Sequence, residues 1–135
     1  MDKPENEKSE LLKNNILAQT KYYLEDANEF FPFGAVIDKN DRLKPISIYS
    51  EKDIPDSQVL HDQLKVALKK GLKNGDYLIA AIAIDVYINN SLNNEISKRT
   101  GVQITFHYSN ANESASIYLY HKNEDGYSFE YYDTV

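Results

Sequence analysis

Cysteine is absent from the 135-residue sequence, and arginine occurs only at Arg42 and Arg99. Without cysteine there is no disulfide framework, no thiolate metal site and no thiol nucleophile, and this composition fits a reducing compartment. The longest apolar run, residues 77–88, contains Asp85 and is shorter than the roughly 20 residues of a membrane span. Residues 1–10 lack the apolar segment of a secretory signal. We therefore expect a cytoplasmic protein with no membrane partner.

The charge balance is acidic, with 21 aspartates and glutamates against 15 lysines and arginines and a net charge of −6. Nucleic-acid binding needs clustered basic residues, so this balance argues against it and favours a basic protein partner. Four lysines, Lys65, Lys69, Lys70 and Lys73, form the one dense basic group. They lie opposite the apolar stripe of a predicted helix, so the sequence predicts a solvated face there.

Motifs for catalysis, phosphate binding and metal binding are missing. No Gly-x-Ser-x-Gly sequence is present, and the isolated Gly34 does not make a phosphate-binding loop. The three histidines, His61, His107 and His121, have no spacing typical of a metal site. The sequence therefore predicts no metal, no cofactor and no catalytic residues, and favours a protein that is not an enzyme.

Hydrophobic periodicity predicts one domain, residues 9–135, after a frayed start at residues 1–8. Leu12, Ile16 and Tyr23 recur at helical spacing in a first helix over about Ser9–Asn28, which ends before Pro32. A second helix is predicted after Ile54-Pro55, capped by Asp56 or Ser57 and ended at Gly75.

The remaining apolar segments alternate as strands do. Predicted strands are Phe33–Asp38, Leu43–Ser50 with Pro45 at an edge, Tyr77–Asn89, Gly101–Ser109, Ser114–His121 and Tyr127–Tyr132, with a polar connection at Ser91–Thr100. The order α-β-β-α-β-β-β-β predicts an α+β fold with two helices packed on one face of an antiparallel sheet.

Asp85 interrupts the most apolar strand of the chain. Alternation places it with Ala81 and Ala83, opposite the face of Ile82 and Ile84. One interpretation is a pocket carboxylate with a raised pKa, and with His107 this gives an alternative function: a small-molecule or metal-dependent enzyme. The favoured interpretation is that Asp85 lies on the solvated side of a one-sided sheet.

Tyrosine is the unusual component, with 11 residues and no tryptophan. Tyrosine is enriched where proteins bind partners, although it is also common on exposed strands for structural reasons. Alternation predicts that tyrosines and polar residues share the second face of the sheet. The candidate partner-binding residues are Tyr87, His107, Tyr118, Tyr120, Glu130 and Tyr132.

Three segments of the chain resemble a family of small, largely uncharacterised bacterial α+β proteins, which carry an aromatic-Pro-Phe-Gly segment after the first helix. These segments are Phe30-Phe31-Pro32-Phe33-Gly34, Pro55-Asp56-Ser57 and residues 80–86. Some small acidic bacterial proteins of this kind are immunity proteins for contact-delivered toxins. The acidic charge, the small size, the lack of a catalytic constellation and the tyrosine-rich strands favour a non-enzymatic binding module. The resemblance implies an immunity protein that neutralises a bacterial toxin, and it carries over no catalytic residues. A self-associating structural protein, a homodimer joined through an edge strand near Pro45 or near Tyr127–Tyr132, is a further alternative.

Overall fold

The computed structural model describes residues 5–48, 56–92 and 95–135, which form two helices and a six-stranded sheet. The elements are α1 (Glu5–Ala27), β1 (Phe33–Asp38), β2 (Leu43–Ile46), α2 (Ser57–Lys73), β3 (Tyr77–Leu92), β4 (Glu95–Tyr108), β5 (Glu113–Asn123) and β6 (Gly126–Thr134). All neighbouring strands are antiparallel. The predicted α+β class is therefore confirmed.

Helix α1 begins at Glu5, within the segment predicted to be frayed, whose residues 1–4 lie outside the described part of the chain. Leu12 and Ile16 are fully buried, as their spacing predicts. The helix ends at Ala27, and the next residue, Asn28, has a left-handed φ of 60° and donates its N–H to the Leu24 carbonyl at 2.8 Å. Asparagine tolerates this backbone conformation better than most residues, so the helix stops before Pro32.

Helix α2 begins at the predicted cap. The carboxylate of Asp56 accepts hydrogen bonds from the N–H groups of Gln58 at 2.9 Å and Val59 at 3.3 Å. Gly75 follows the helix with a φ of 81°, as predicted. The predicted opening at Ile54-Pro55 lies outside the described residues. Among the residues described, no helix is long and apolar enough to cross a membrane.

The strand order in the sheet is β2-β1-β3-β4-β5-β6. The strands from β3 to β6 form a meander of neighbouring hairpins, whereas β1 pairs with both β2 and β3. The two edges are therefore β2, which carries Pro45 as predicted, and β6. The predicted continuation of β2 is wrong at Ser47 and Ile48, which follow the end of the strand, and Tyr49 and Ser50 lie outside the described residues.

The two helices cover opposite faces of the sheet, so the prediction that both pack on one face is wrong. α1 packs against a cluster that includes Ala81 and Ala83 of β3, and α2 packs against a second cluster that includes Ala80 and Ile82. Residues 79–83 are all buried, which is the pattern of a strand covered on both sides. The α1 side also holds Val102, Ile104 and Phe106 of β4.

The polar connection predicted at Ser91–Thr100 is also wrong. The β3–β4 ladder continues through the pairs Ile88 with Arg99 and Leu92 with Glu95, and Asn93 and Asn94 lie outside the described residues. The prediction relied on apolar alternation, but main-chain pairing in a hairpin does not require apolar side chains.

Candidate partner-binding surfaces

The six residues predicted to bind a partner do not form one surface. Three of them, Tyr87, Tyr118 and Tyr120, lie on the α1 side of the sheet. His107 and Glu130 lie on the α2 side, as their pairing with Ala80 and Leu119 shows. Tyr132 falls where the β5–β6 register shifts, and its side chain is 38% exposed. The predicted alternation was shifted by one residue on some strands relative to their neighbours, so residues from opposite faces of the sheet were assigned to one face.

Tyr118 and Tyr120 belong to the interior between α1 and the sheet. The ring of Tyr120 packs edge-on against Phe30 at 6.4 Å, Tyr127 at 6.1 Å and Phe129 at 6.5 Å between centroids. Such edge-to-face pairs stabilise a core beyond the area they bury. Much of the tyrosine excess is therefore explained by packing under α1, and Tyr87 is the exposed member of the predicted group on this side.

Asp85 lies beside this aromatic core and is half-buried. Tyr120 donates its hydroxyl hydrogen to Asp85 Oδ1 at 2.8 Å. Burial raises the pKa of the Asp85 carboxyl, although the hydrogen bonds from Tyr120 and the Val86 N–H oppose the shift. The expectation that Asp85 occupies the solvated side of a one-sided sheet is wrong, because α1 and Phe30 cover this face.

The alternative enzyme centre is not assembled. Asp85 pairs with Val102 on the α1 side, whereas His107 pairs with Ala80 on the α2 side, so the sheet separates the two side chains. Burial and the acceptor Asp85 raise the pKa of the Tyr120 hydroxyl, so that phenol acts as a donor rather than a nucleophile at neutral pH. The Asp85–Tyr120 pair therefore ties β3 to β5 across β4.

The three histidines are also dispersed. His107 contacts Glu113 at 3.3 Å and His121 contacts Glu130 at 3.5 Å, while His61 lies on α2 beside Asp62. His107 and His121 share the α2 side but lie far apart along the sheet. Across the described ranges, no group of three or more histidine, aspartate and glutamate side chains could hold a metal ion.

Strand β6 forms a long free edge of the sheet. Its nine residues pair with β5 on one side only, and residues 130–134 are all exposed. Tyr131 is 56% exposed and stacks edge-on against Tyr118 at 5.7 Å, which fixes its ring beside the edge. Glu130 and Asp133 give the strand two carboxylates and no basic residue.

The opposite edge is protected in the usual way. Strand β2 has four residues, including Lys44 and Pro45, and both types discourage pairing with another chain. Lys44 also forms an ion pair with the buried Asp38 at 3.1 Å. The contrast indicates β6 as the edge that can accept an additional strand. Sequence reasoning named Glu130 and Tyr132 as partner-binding residues and Tyr127–Tyr132 as a candidate self-associating edge, but it did not single out Tyr131 or Asp133.

A groove runs along α2 on the other side of the molecule. Helix α2 packs on β1 and β3, and beside it lie two adjoining cavities of about 380 and 350 Å³. Gln103 and Thr105 of β4 line the first cavity, and His107 of β4 lines both. Burial lowers the pKa of His107, with Glu113 opposing and Lys69 and Lys65 adding to the shift. The nearest wall of the groove is therefore basic.

Comparison with known proteins adds no assignment: no protein family, no curated protein and no solved structure matches the chain.

Proposed function

We propose that this protein is a non-enzymatic binding module that holds a basic, extended segment of a protein partner along the free edge of β6. The observation that supports the proposal is this nine-residue edge, which lacks proline and lysine. A free strand presents unpaired N–H and C=O groups that an incoming strand can bind. Main-chain hydrogen bonds would supply affinity, and the neighbouring side chains would supply specificity.

The side chains at this edge suit a basic partner. Glu130 and Asp133 are exposed carboxylates, and the rings of Tyr131 and Tyr132 offer apolar surface with a polar tip. Aromatic contacts surrounded by carboxylates are typical of tight interfaces with basic proteins. The net charge of −6 would attract such a basic partner and would repel nucleic acid.

The concrete form of this proposal is an immunity protein that neutralises a bacterial toxin in the cytoplasm. An acidic module that occupies a basic substrate-binding surface would inhibit a toxin without catalysis of its own. The resemblance at Phe30–Gly34 and the composition without cysteine support this form.

Self-association through β6 is the second candidate, since a two-fold axis could pair two copies of the same edge. An antiparallel pair centred near Glu130 would bring two glutamates together, which is unfavourable. We therefore favour a different, basic chain. Sedimentation that shows a dimer broken by E130K/D133K would instead support the homodimer.

The edge can be tested with a charge reversal and a matched control. E130K/D133K places lysines on the edge strand, whereas E124K/D125K makes the same change in net charge at the exposed β5–β6 turn. The probe is an eight-residue peptide of alternating lysine and valine, titrated by fluorescence anisotropy. We expect E130K/D133K to weaken binding about tenfold or more, and the control to change it about twofold at most. Equal loss in both variants would reduce the effect to net charge and refute the β6 edge.

A second experiment addresses the immunity form directly. Gene neighbours that encode secreted toxins supply candidate partners, and growth protection against each toxin is measured with the wild type and both variants. Protection that E130K/D133K removes and E124K/D125K retains would support the proposal. Protection by both variants would mean that the toxin binds a surface other than the β6 edge.

A further inference from the structure

Four of the five basic side chains of α2 line the groove beside the sheet, and Lys70 is the exception. His61, Lys65, Lys69 and Lys73 follow one another at intervals of four residues, so they form one row along the helix. His61 and Lys65 line the first cavity, and Lys69 and Lys73 line the second. His107 lines both cavities and joins them into one groove.

The lysines of this row are available to a ligand. None of Lys65, Lys69 and Lys73 forms an ion pair with another residue in the described ranges. Helix C-termini favour basic residues, which explains Lys70 and Lys73 in the last turn but not Lys65 and Lys69. Among the described residues that line the groove, Glu113 is the one with an acidic side chain, and it already contacts His107.

The spacing of the row matches an extended chain. Residues four apart on a helix are separated by about 6 Å along its axis. Alternate residues of an extended strand are separated by about 6.6 Å and point to the same side. Acidic side chains at every second position of a peptide could therefore meet Lys65, Lys69 and Lys73 in turn. In the first cavity, Gln103 and Thr105 are half-buried and have donors and acceptors suited to a peptide main chain.

We propose that this groove binds an acidic peptide segment in an extended conformation, with alternate carboxylates on the lysine row of α2. The site adjoins the C-terminal end of β6, because Val135 lines the first cavity, but it does not depend on the function proposed for the β6 edge. A single-stranded nucleic acid has a similar charge spacing, but its usual partners include exposed aromatic rings for base stacking. Among the described residues that line the two cavities, Tyr108 of the second is the one phenol or phenyl ring, and the first has none, so the groove lacks a row of rings for successive bases and a peptide is favoured.

The test uses a fluorescein-labelled octapeptide of alternating glutamate and serine, titrated by anisotropy at low and physiological salt. K65Q/K69Q removes two charges from the groove. K39Q/K70Q is the matched control, because these exposed lysines do not line the groove. We expect the groove variant to weaken binding about tenfold and to reduce the salt dependence, and the control to bind within about twofold of wild type. Melting curves of both variants check that glutamine, a good helix former, leaves α2 intact.

Three results would overturn the proposal. The first is no saturable binding of the glutamate peptide, and the second is equal binding of a peptide with glutamine in place of glutamate. The third is an oligothymidylate that binds more tightly than the peptide and loses its binding in K65Q/K69Q, which would make the groove a nucleic-acid site. K65Q/K69Q should leave the affinity for the lysine–valine peptide within about twofold, and E130K/D133K should not weaken binding of the glutamate peptide, so the two proposed sites can fail independently.

Discussion

Replacing Ile82 or Ile104 by alanine should destabilise the protein by similar amounts, although the two side chains lie on opposite faces of the sheet. Ile82 is 1% exposed in the α2 cluster, and Ile104 is 0% exposed in the α1 cluster. Each change removes a buried apolar group and leaves a cavity, which costs about 2–5 kcal/mol. At about 3–6 °C per kcal/mol for a domain of this size, each Tm should fall by at least about 6 °C.

Urea denaturation followed by circular dichroism measures the free energy of unfolding of each variant. The control is Val66→Ala, because Val66 lies on α2 but is 69% exposed, and its effect should stay within about 0.5 kcal/mol. A cost below about 1 kcal/mol at Ile82 would mean that α2 does not cover its face of the sheet. The same result at Ile104 would refute the packing of α1.

Additivity separates the two clusters more sharply. Ile16 belongs to the α1 cluster with Ile104, so Ile16→Val and Ile82→Val should add within about 0.5 kcal/mol. Valine is used here because the double variant stays folded. A larger coupling between Ile16 and Ile82 would place them in one core, as in the two-helices-on-one-face arrangement.

The other predictions concern charge and close packing. Asp85→Asn should stabilise the protein at pH 7. Because burial raises the pKa of Asp85 in the folded state, ionisation of this carboxyl costs more in the folded than in the unfolded protein. Urea denaturation should show a higher free energy of unfolding for the variant at pH 7 and no difference near pH 3, where the carboxyl is protonated in both states. Because burial lowers the pKa of His107, the free energy of unfolding should decrease as pH drops below about 6.5. His107→Gln should make this decrease smaller, and an unchanged pH dependence would refute the lowered pKa of His107. Gly34→Val should destabilise by about 1–3 kcal/mol or more, because a β-carbon there would lie 2.7 Å from the main-chain oxygen of Ala81, and an unchanged melt would contradict this contact. Chelation should leave Tm unchanged, and a drop restored by zinc would disprove this expectation.

The helices and most strands could be predicted because their signals are local. The stripe of Leu12 and Ile16, the cap at Asp56 and the turn at Gly75 depend on residues within one or two helical turns. The face that each helix covers is not local. Ala81, Ala83 and Asp85 resembled a solvated face because alanine buries little area, yet alanine also lets a helix approach a strand closely.

The candidate surfaces were harder to predict for a related reason. Tyr118 and Tyr120 have the same composition signal whether they contact a partner or pack under α1, and only the position of α1 decides between the two. The β6 edge depends on strand order, which alternation does not reveal. The lysine row was visible as a spacing of four residues, but the groove beside it required the position of β4.

The pairing of β1 with β3 has a consequence for the order in which the sheet forms. The strands from β3 to β6 contact their neighbours in sequence, so each hairpin closes a short loop. The pair Asp38 with Tyr77 instead closes a loop that contains β2 and α2. Pairing strands that are distant in sequence costs more chain entropy before the stabilising contacts form, and folding is slower because of this cost. We therefore expect the meander to form first and the hairpin of β1 and β2 to join it in the slow step, when α2 closes over Ile82.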